Sequence, residues 1–409
     1  MKLLFYNHTA TVSGAERVLL LIVSQLDKTE FESVVLCPAG ELQQLVEAQN
    51  VPCLTVEKLE ARFTWRPGLL LRYLASFVRV ILSVRAQVKT IAPDLIHANS
   101  IRAGLAMTAA TMGLRVPVLW HLHDLLPHHP ISTVIRVGVL LSTRVQLLAV
   151  SQATAQRFRG LLLRFRRVPS QVILNCADTE KFQSNAQHRA VLRAELQLDT
   201  TAPVVGIIGQ ITARKDQLGV LRAFARVVQE LPQAILLVVG EPLFTAADQQ
   251  YDQQLKRVVA ELGLARQVRF LGARRDVSAV MQALDLLVVN SLAEPCGLVV
   301  LEGMASGLPV LATAVGGNAE MIHHALSGWL VPPNDARTLA TEIVKLLRAP
   351  SLCRQLGRNA RMRVSEHFTI PIYMVAVQEV YRAGCCLGNK ERLQPSQGGR
   401  ASAAFRANK

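Results

Sequence analysis

Short apolar runs alternate with longer helical patterns through nearly the whole chain, and the alternation starts afresh after a break near residue 180. The first set of predicted strands is Lys2–Tyr6, Ser33–Cys37, Leu95–His97, Val116–His121, Gln146–Val150 and Gln171–Leu174. Helix-like stretches such as Ala15–Leu26 and Ala103–Met112 separate them. The second set is Val204–Ile208, Ile235–Val239, Val268–Leu271, Leu286–Val289, Val310–Ala312 and Trp329–Val331, with helices at Gln217–Gln229, Tyr251–Leu262 and Leu298–Ala305. Such alternation implies a parallel sheet covered by helices. The runs are aliphatic, as strands buried on both faces require. Two sets therefore predict two doubly wound α/β domains, with a linker and a helix in residues 178–203. Ligands of these sheets bind at the carboxyl ends of the strands. The expected site is the cleft where the two domains face each other. With 409 residues, half of them apolar, the chain can bury two cores.

Charge and cysteine usage narrow the partners. Residues 1–185 carry a net +8 of the overall +15, and residues 385–409 carry +4. A basic field favours anionic partners such as phosphorylated lipids or a membrane surface. Nucleic acid is disfavoured, because the basic residues come without a nucleic-acid-binding module. Arg62–Arg66, Arg72, Arg79 and the stretch Arg157–Arg167 mix cations with apolar groups, as anionic bilayer surfaces require. The seven cysteines show no C-x-x-C spacing, which argues against a disulfide framework or zinc site and for a reducing compartment. The apolar stretches 69–84 and 131–150 are broken by arginines and do not read as spanning helices. Met1–Tyr6 is too short for a signal core. The polar, Gly- and Ser-rich residues 385–409 read as a disordered tail.

The chemistry concentrates between Asp285 and Val310. An apolar strand ends at Asn290-Ser291, a turn Glu294-Pro295-Cys296-Gly297 follows, and a helix then carries Glu302. Glu294 stands at the strand's carboxyl end, and Glu302 about one turn into the helix can face the same pocket. The helix start offers free N–H groups and a positive dipole end, a cradle for a pyrophosphate. Three further loops follow predicted strands: Thr11–Glu16 with Gly14, His121-Leu122-His123-Asp124, and Gly209–Asp216 with Arg214 and Lys215. His121 is expected on the opposite sheet face from His123. No metal-ligand cluster is visible. No G-x-G-x-x-G follows Lys2–Tyr6, which disfavours a dinucleotide dehydrogenase.

The Asp285–Val310 segment resembles the nucleotide-sugar signature of retaining family 4 glycosyltransferases, in which two Glu separated by seven residues end a strand and open a helix. Glu294 and Glu302 match that pair, with Gly297, Gly307 and Pro309 in place. The likeness runs from residue 1 to about 382. Gly14 matches the loop that approaches the donor phosphates. His123 matches the His that faces the transferred sugar, and Lys215 a diphosphate-binding cation. Gln210 stands where the family usually has Arg, and Asp216 where it has Gly; Arg214 is expected to supply the missing charge. Asn175–Asp178 with Phe182 resembles the domain crossover, read mainly as a structural turn. Gly316-Gly317 and Glu320 match a loop of partly structural role.

The resemblance implies a GT-B fold, with two Rossmann-like domains at residues 1–183 (acceptor side) and 184–367 (nucleotide-sugar side). Residues 368–384 would cross back to the first domain. It implies a metal-independent hexosyl transfer with retention, using no cofactor beyond a nucleotide-sugar co-substrate. Glu294, His123 and Lys215 are the expected catalytic residues. Gly14, Arg214, Lys215, Glu294, Cys296, Gly297, Leu298 and Glu302 are the expected donor-binding residues. The acceptor is expected to be a glycan or a lipid-linked sugar, and the location cytoplasmic, peripheral on the inner face of the membrane. Two alternatives share the fold: a nucleotide-sugar-binding subunit without transfer activity, which Gln210 favours, and a sugar-nucleotide epimerase.

Overall fold

The computed structural model describes residues 1–59, 67–127, 129–160, 163, 168–184 and 186–388. Arg62–Arg66, His128, most of residues 161–167 and the tail from 389 lie outside the described residues.

The first domain runs β1 (Lys2–Tyr6), α1 (Gly14–Gln25), β2 (Glu32–Cys37), α2 (Glu41–Glu47), β3 (Cys53–Thr55), α3 (Pro67–Ile91), β4 (Leu95–Ala98), α4 (Ile101–Ala110), β5 (Val118–Leu122), α5 (Pro130–Leu141), β6 (Val145–Ala149), α6 (Gln152–Arg159) and β7 (Ser170–Val172). The second runs α7 (Ala186–Glu195), β8 (Val204–Ile208), α8 (Gln217–Glu230), β9 (Ile235–Val239), α9 (Ala246–Glu261), β10 (Val268–Gly272), α10 (Val277–Ala283), β11 (Leu286–Val289), α11 (Leu298–Ala305), β12 (Val310–Thr313), α12 (Asn318–Met321), β13 (Trp329–Val331), α13 (Ala336–Leu347) and α14 (Pro350–His367). A final helix, α15, spans Ile370–Gly388.

Both sheets are parallel. Their strand orders are β3-β2-β1-β4-β5-β6-β7 and β10-β9-β8-β11-β12-β13. Each strand direction of winding reverses once, beside β1 and beside β8, and ligand sites form where the order reverses. The strands are aliphatic because helices cover both faces: Leu3, Leu4, Phe5 and Tyr6 of β1 are all fully buried.

Three of the departures from the expected elements have a plain physical reason. The strand expected at Val116–His121 is Val118–Leu122, since Pro117 has no N–H for the ladder. The short β3 carries no alternation to reveal it, with Leu54 and Thr55 exposed. The last helix runs to Gly388 rather than ending at 384. Gly384 is no stop signal; it permits close approach, its carbonyl accepting from Gln146 Nε2 at 3.2 Å.

The chain passes between the domains twice, and the two passages touch. Ala177 N donates to Phe368 O at 2.9 Å, and Ala177 forms a bridge with Thr369. Beyond this point α15 places Tyr373, Met374, Val377, Val380 and Tyr381 in the first domain's core. Full burial of side chains of this size contributes about 1.5–3 kcal/mol each, gross of entropy.

Candidate active site

The loops at the carboxyl ends of β8, β11 and β12 build the second domain's wall. After β8, a single turn of 3-10 helix at Ala213–Lys215 presents two cations. It ends at Asp216, whose backbone is left-handed (φ +47°, ψ +47°), which explains why glycine is common there and why Asp, tolerant of this region, can replace it. The Asp216 side chain caps α8 by accepting from Gly219 N at 3.0 Å, and Asn290 Nδ2 donates to it at 2.8 Å. The replacement thus adds a helix cap and a tie to the β11 loop. Gln210 holds its loop through its carbonyl, which accepts from Gln217 Nε2 at 2.9 Å.

After β11, Glu294 is buried, with 4% of its surface accessible. The Lys215 ammonium pairs with its Oε2, Ser291 Oγ donates to the same oxygen at 2.8 Å, and Arg214 Nη1 lies 3.8 Å from Oε1. Burial pushes the Glu294 carboxyl up, but the charges of Lys215 and Arg214 and the two hydrogen bonds together outweigh it, leaving the group below its ordinary range. The loop after β12 presses on this turn. A Cβ on Gly316, whose φ is +52°, would stand 1.9 Å from the Glu294 carbonyl, and Gly317 N donates to that same carbonyl at 2.9 Å.

One turn into α11, Glu302 is half-buried and makes no side-chain hydrogen bond among the described residues. Burial raises its pKa, opposed by Arg17 and Lys181. Leu298, at the start of the same helix, packs against the first domain's core. A Cβ on Gly14 would lie 3.8 Å from Leu298 Cδ1. The start of α1 therefore meets the start of α11 across the cleft, and Gly14, Gly297, Leu298, Glu294, Arg214 and Lys215 share one neighbourhood.

On the first-domain wall, His123 follows β5 and is half-buried. Burial lowers its pKa to about 3, so the imidazole is neutral at physiological pH. Its Nε2 lies 3.0 Å from Asn99 Oδ1. His121 shares its side of the sheet, contrary to expectation: side chains two residues apart on a strand point the same way, and the two rings lie 3.9 Å apart. Behind them, His121 Nδ1 is 3.2 Å from His97 Nε2, and His97 Nδ1 is 2.8 Å from Tyr381 OH on α15. Burial lowers His97 to about 3 and His121 well below its ordinary value. Asp124 faces the cleft. Burial raises its pKa and Glu294 adds to that, while Arg214 and Arg102 oppose it.

Cys296 turns its side chain away from the cleft. Its thiol is buried, contacting Asn175 N at 3.4 Å and Met321 Sδ at 3.7 Å, and burial pushes it to about 12. The side chain belongs to the crossover, so only the Cys296 backbone is available to a donor. Asn175, expected at the domain crossover, ties the two domains there, whereas Glu320, expected only as part of a loop, proves to be a second inter-domain tie. Asn175 Nδ2 donates to Cys296 O at 3.1 Å. Glu320 reaches the first domain and accepts from Gln152 N at 2.8 Å and Ala153 N at 2.9 Å, capping α6. Among the described residues, no group of three or more His, Cys, Asp or Glu could hold a metal ion. A cavity of about 350 Å³ lies at the amino end of the second sheet, where Asp285 pairs with Arg189 and Arg193. It is remote from the strand ends that carry the site.

Comparisons with known proteins agree with this geometry. The profile of "Glycosyl transferases group 1" matches residues 188–363, and that of "Glycosyltransferase Family 4" matches residues 12–181. The chain is 28% identical over 363 residues to a D-inositol 3-phosphate glycosyltransferase of Saccharomonospora viridis, covering 84% of this chain and 81% of that protein. It is 32% identical over 177 residues to N-acetyl-alpha-D-glucosaminyl L-malate synthase of Bacillus anthracis, covering 43% of this chain and 44% of that protein. The match thus spans less than half the length of the latter relative. Among solved structures, Anabaena HepE in complex with UDP-glucose superposes with a TM-score of 0.80 at 28% identity, covering 94% of this chain and all of that one. The sucrose-phosphate synthase of Thermosynechococcus elongatus shares the fold, with a TM-score of 0.76 at 20% identity over 93% of this chain and 98% of that one.

Proposed function

Because this chain belongs to the group 1, family 4 glycosyltransferases and has their GT-B fold, we propose that it moves a hexosyl group from a nucleoside-diphosphate sugar to a glycan or lipid-linked acceptor, with retention at the anomeric carbon and without a metal. The observation that carries the reading is the convergence of Glu294, Lys215 and Arg214 beside the start of α11, with Gly14 opposite. A leaving nucleoside diphosphate gains negative charge in the transition state, and preorganised cations and amides lower that barrier. Lys215, Arg214 and the amides at Gly297 and Leu298 supply them. Glu294 holds the sugar hydroxyls and faces the positive charge developing on the ring. Glu302, without a side-chain hydrogen bond among the described residues and one turn into α11, takes the ribose hydroxyls. His123 accepts from a sugar hydroxyl. The likeness to a UDP-glucose complex makes a uridine donor the first choice.

The test is a panel of nucleotide sugars followed by NMR without acceptor. A matched donor is expected to bind and to release its nucleoside diphosphate slowly, with product sugar appearing first as the donor's own anomer. Absence of binding by every nucleotide sugar would remove the reading.

The acceptor side carries an apolar ridge. Leu71, Leu74, Val78 and Leu82 of α3 are 69%, 53%, 54% and 61% exposed. Their spacing of three, four and four residues places them on one stripe. With Arg79 beside the ridge and the basic excess of this half, the face suits an anionic bilayer surface. No described helix is long and apolar enough to cross a membrane, so the contact is with the surface. Liposome flotation is expected to recover the protein with anionic vesicles at low salt, and Leu74→Glu with Leu82→Glu to abolish this. Equal recovery of wild type and variant would exclude the ridge.

A further inference from the structure

We infer that Asn99, oriented by Asn7, is a positioning residue that decides which nitrogen of His123 carries the proton, and that it leaves the Nδ1 lone pair to accept a hydroxyl of the transferred sugar. The second half rests on the reading of His123 given above; the first does not.

Asn7 follows β1, Asn99 follows β4 and His123 follows β5, and these strands are neighbours in the sheet. An asparagine amide can be turned either way round, but backbone carbonyls, which only accept, settle both orientations here. Asn99 Nδ2 donates to the Ala15 carbonyl at 3.2 Å and to Asn7 Oδ1 at 3.0 Å. Asn7 Nδ2 donates to the Thr9 carbonyl at 2.7 Å and to Glu16 Oε1 at 3.2 Å. Turning either amide would set oxygen against oxygen. Glu16 is fixed in turn by Ser13, whose N and Oγ donate to Oε2 at 3.0 and 2.5 Å. The direction of donation therefore runs one way through the network, and Asn99 Oδ1 is left as the acceptor facing His123.

His123 Nε2 must then be the N–H that donates. A neutral imidazole has one N–H, so its Nδ1 is a bare lone pair. Nδ1 has no hydrogen-bond partner among the described residues and is not sealed off as a buried unpaired atom. The titratable groups around the ring are His121, tilted against it at 44°, His97 behind, and Asp124 next in the chain, with Arg214 and Glu294 facing Asp124 from the other domain. The loop that begins α1, expected to approach the donor phosphates, thus also sets the proton on the sugar-side histidine.

Side-chain ¹⁵N NMR of histidine-labelled protein tests this, with His123 identified by its loss in His123→Gln. A protonated Nε2 and an unprotonated Nδ1 are expected between about pH 6 and 8. A protonated Nδ1, or a mixture of tautomers, overturns the inference. In Asn99→Asp a carboxylate faces the Nε2–H, and the His123 pKa is expected to rise by about 1–3 units. Transfer by this variant is expected to fall about ten- to a hundredfold in kcat, most steeply on the acid side as the cation forms, with little change in donor KM. A His123 titration unmoved by Asn99→Asp also overturns the inference. If that variant does not fold, the wild-type tautomer decides alone. A chain that transfers no sugar yet shows the Nε2–H tautomer loses the proposed function and keeps the network; an active transferase with the other tautomer loses only the network.

Discussion

Glu294→Gln is expected to lower glycosyl transfer by about a thousandfold while leaving the protein folded. The substitution keeps size and hydrogen-bonding capacity and removes one charge. That charge is ionised in the working range, because Lys215 and Arg214 outweigh burial and hold the carboxyl below its usual range. In the proposed mechanism it lies where a departing diphosphate leaves positive charge on the sugar, so its loss is expected to fall on the transition state and to appear in kcat. Stability should shift as well, since Lys215 is left without its partner. A folded-state pKa below the unfolded one means the carboxylate adds stability above the unfolded value, and that stability is lost as pH falls through the folded value. The Gln variant should therefore melt below wild type at neutral pH and approach it in acid. Steady-state rates with thermal melts across pH check both parts. A kcat within tenfold of wild type would exclude Glu294 from the chemistry.

Glu302→Gln is expected to weaken donor binding about ten- to a hundredfold, the loss of charge-assisted bonds worth about 1.5–3 kcal/mol. Its effect on the free protein has the opposite sign to that of Glu294→Gln. Burial raises the Glu302 pKa above its ordinary value, and Arg17 and Lys181 only partly oppose this. Such a carboxylate costs stability above its folded pKa, and the cost disappears as pH falls and the group protonates. The variant should melt higher than wild type at neutral pH, with the gap closing in acid. A side chain whose burial opposes folding and that makes no hydrogen bond among the described residues fits the donor-binding role proposed for it. Donor-induced thermal shift in wild type and variant measures both effects. An unchanged donor response would take Glu302 out of the site.

The placement of these two residues was legible because it is local. Glu294 and Glu302 lie on either side of one strand-to-helix turn, and a pattern within eight residues shows which end of a strand they occupy. Lys215 was legible for the same reason. The architecture was legible from strands such as Lys2–Tyr6, whose side chains are buried on both faces and so form unbroken apolar runs. What escaped depends on distance along the chain. Asn7 and Asn99 are 92 residues apart and meet only because β1 and β4 are paired. Glu320 reads as part of a loop, yet it caps a helix 168 residues earlier. Cys296 stands in the middle of the strongest motif, but its thiol turns to Asn175 across the crossover. The Asp at position 216 where the family has Gly also has a local answer invisible in composition: Asp is tolerated in a left-handed backbone and caps the next helix.

The two touching passages between the lobes have a mechanical consequence. One strap lets a lobe swivel as well as open. Two straps side by side, joined where Ala177 meets Phe368 and Thr369, resist swivelling and leave a jaw-like motion. Because α15 follows the second lobe in the chain and packs into the first, the first lobe is completed after the second during synthesis. A graft that exchanges acceptor-side lobes between relatives must carry two separate pieces of chain.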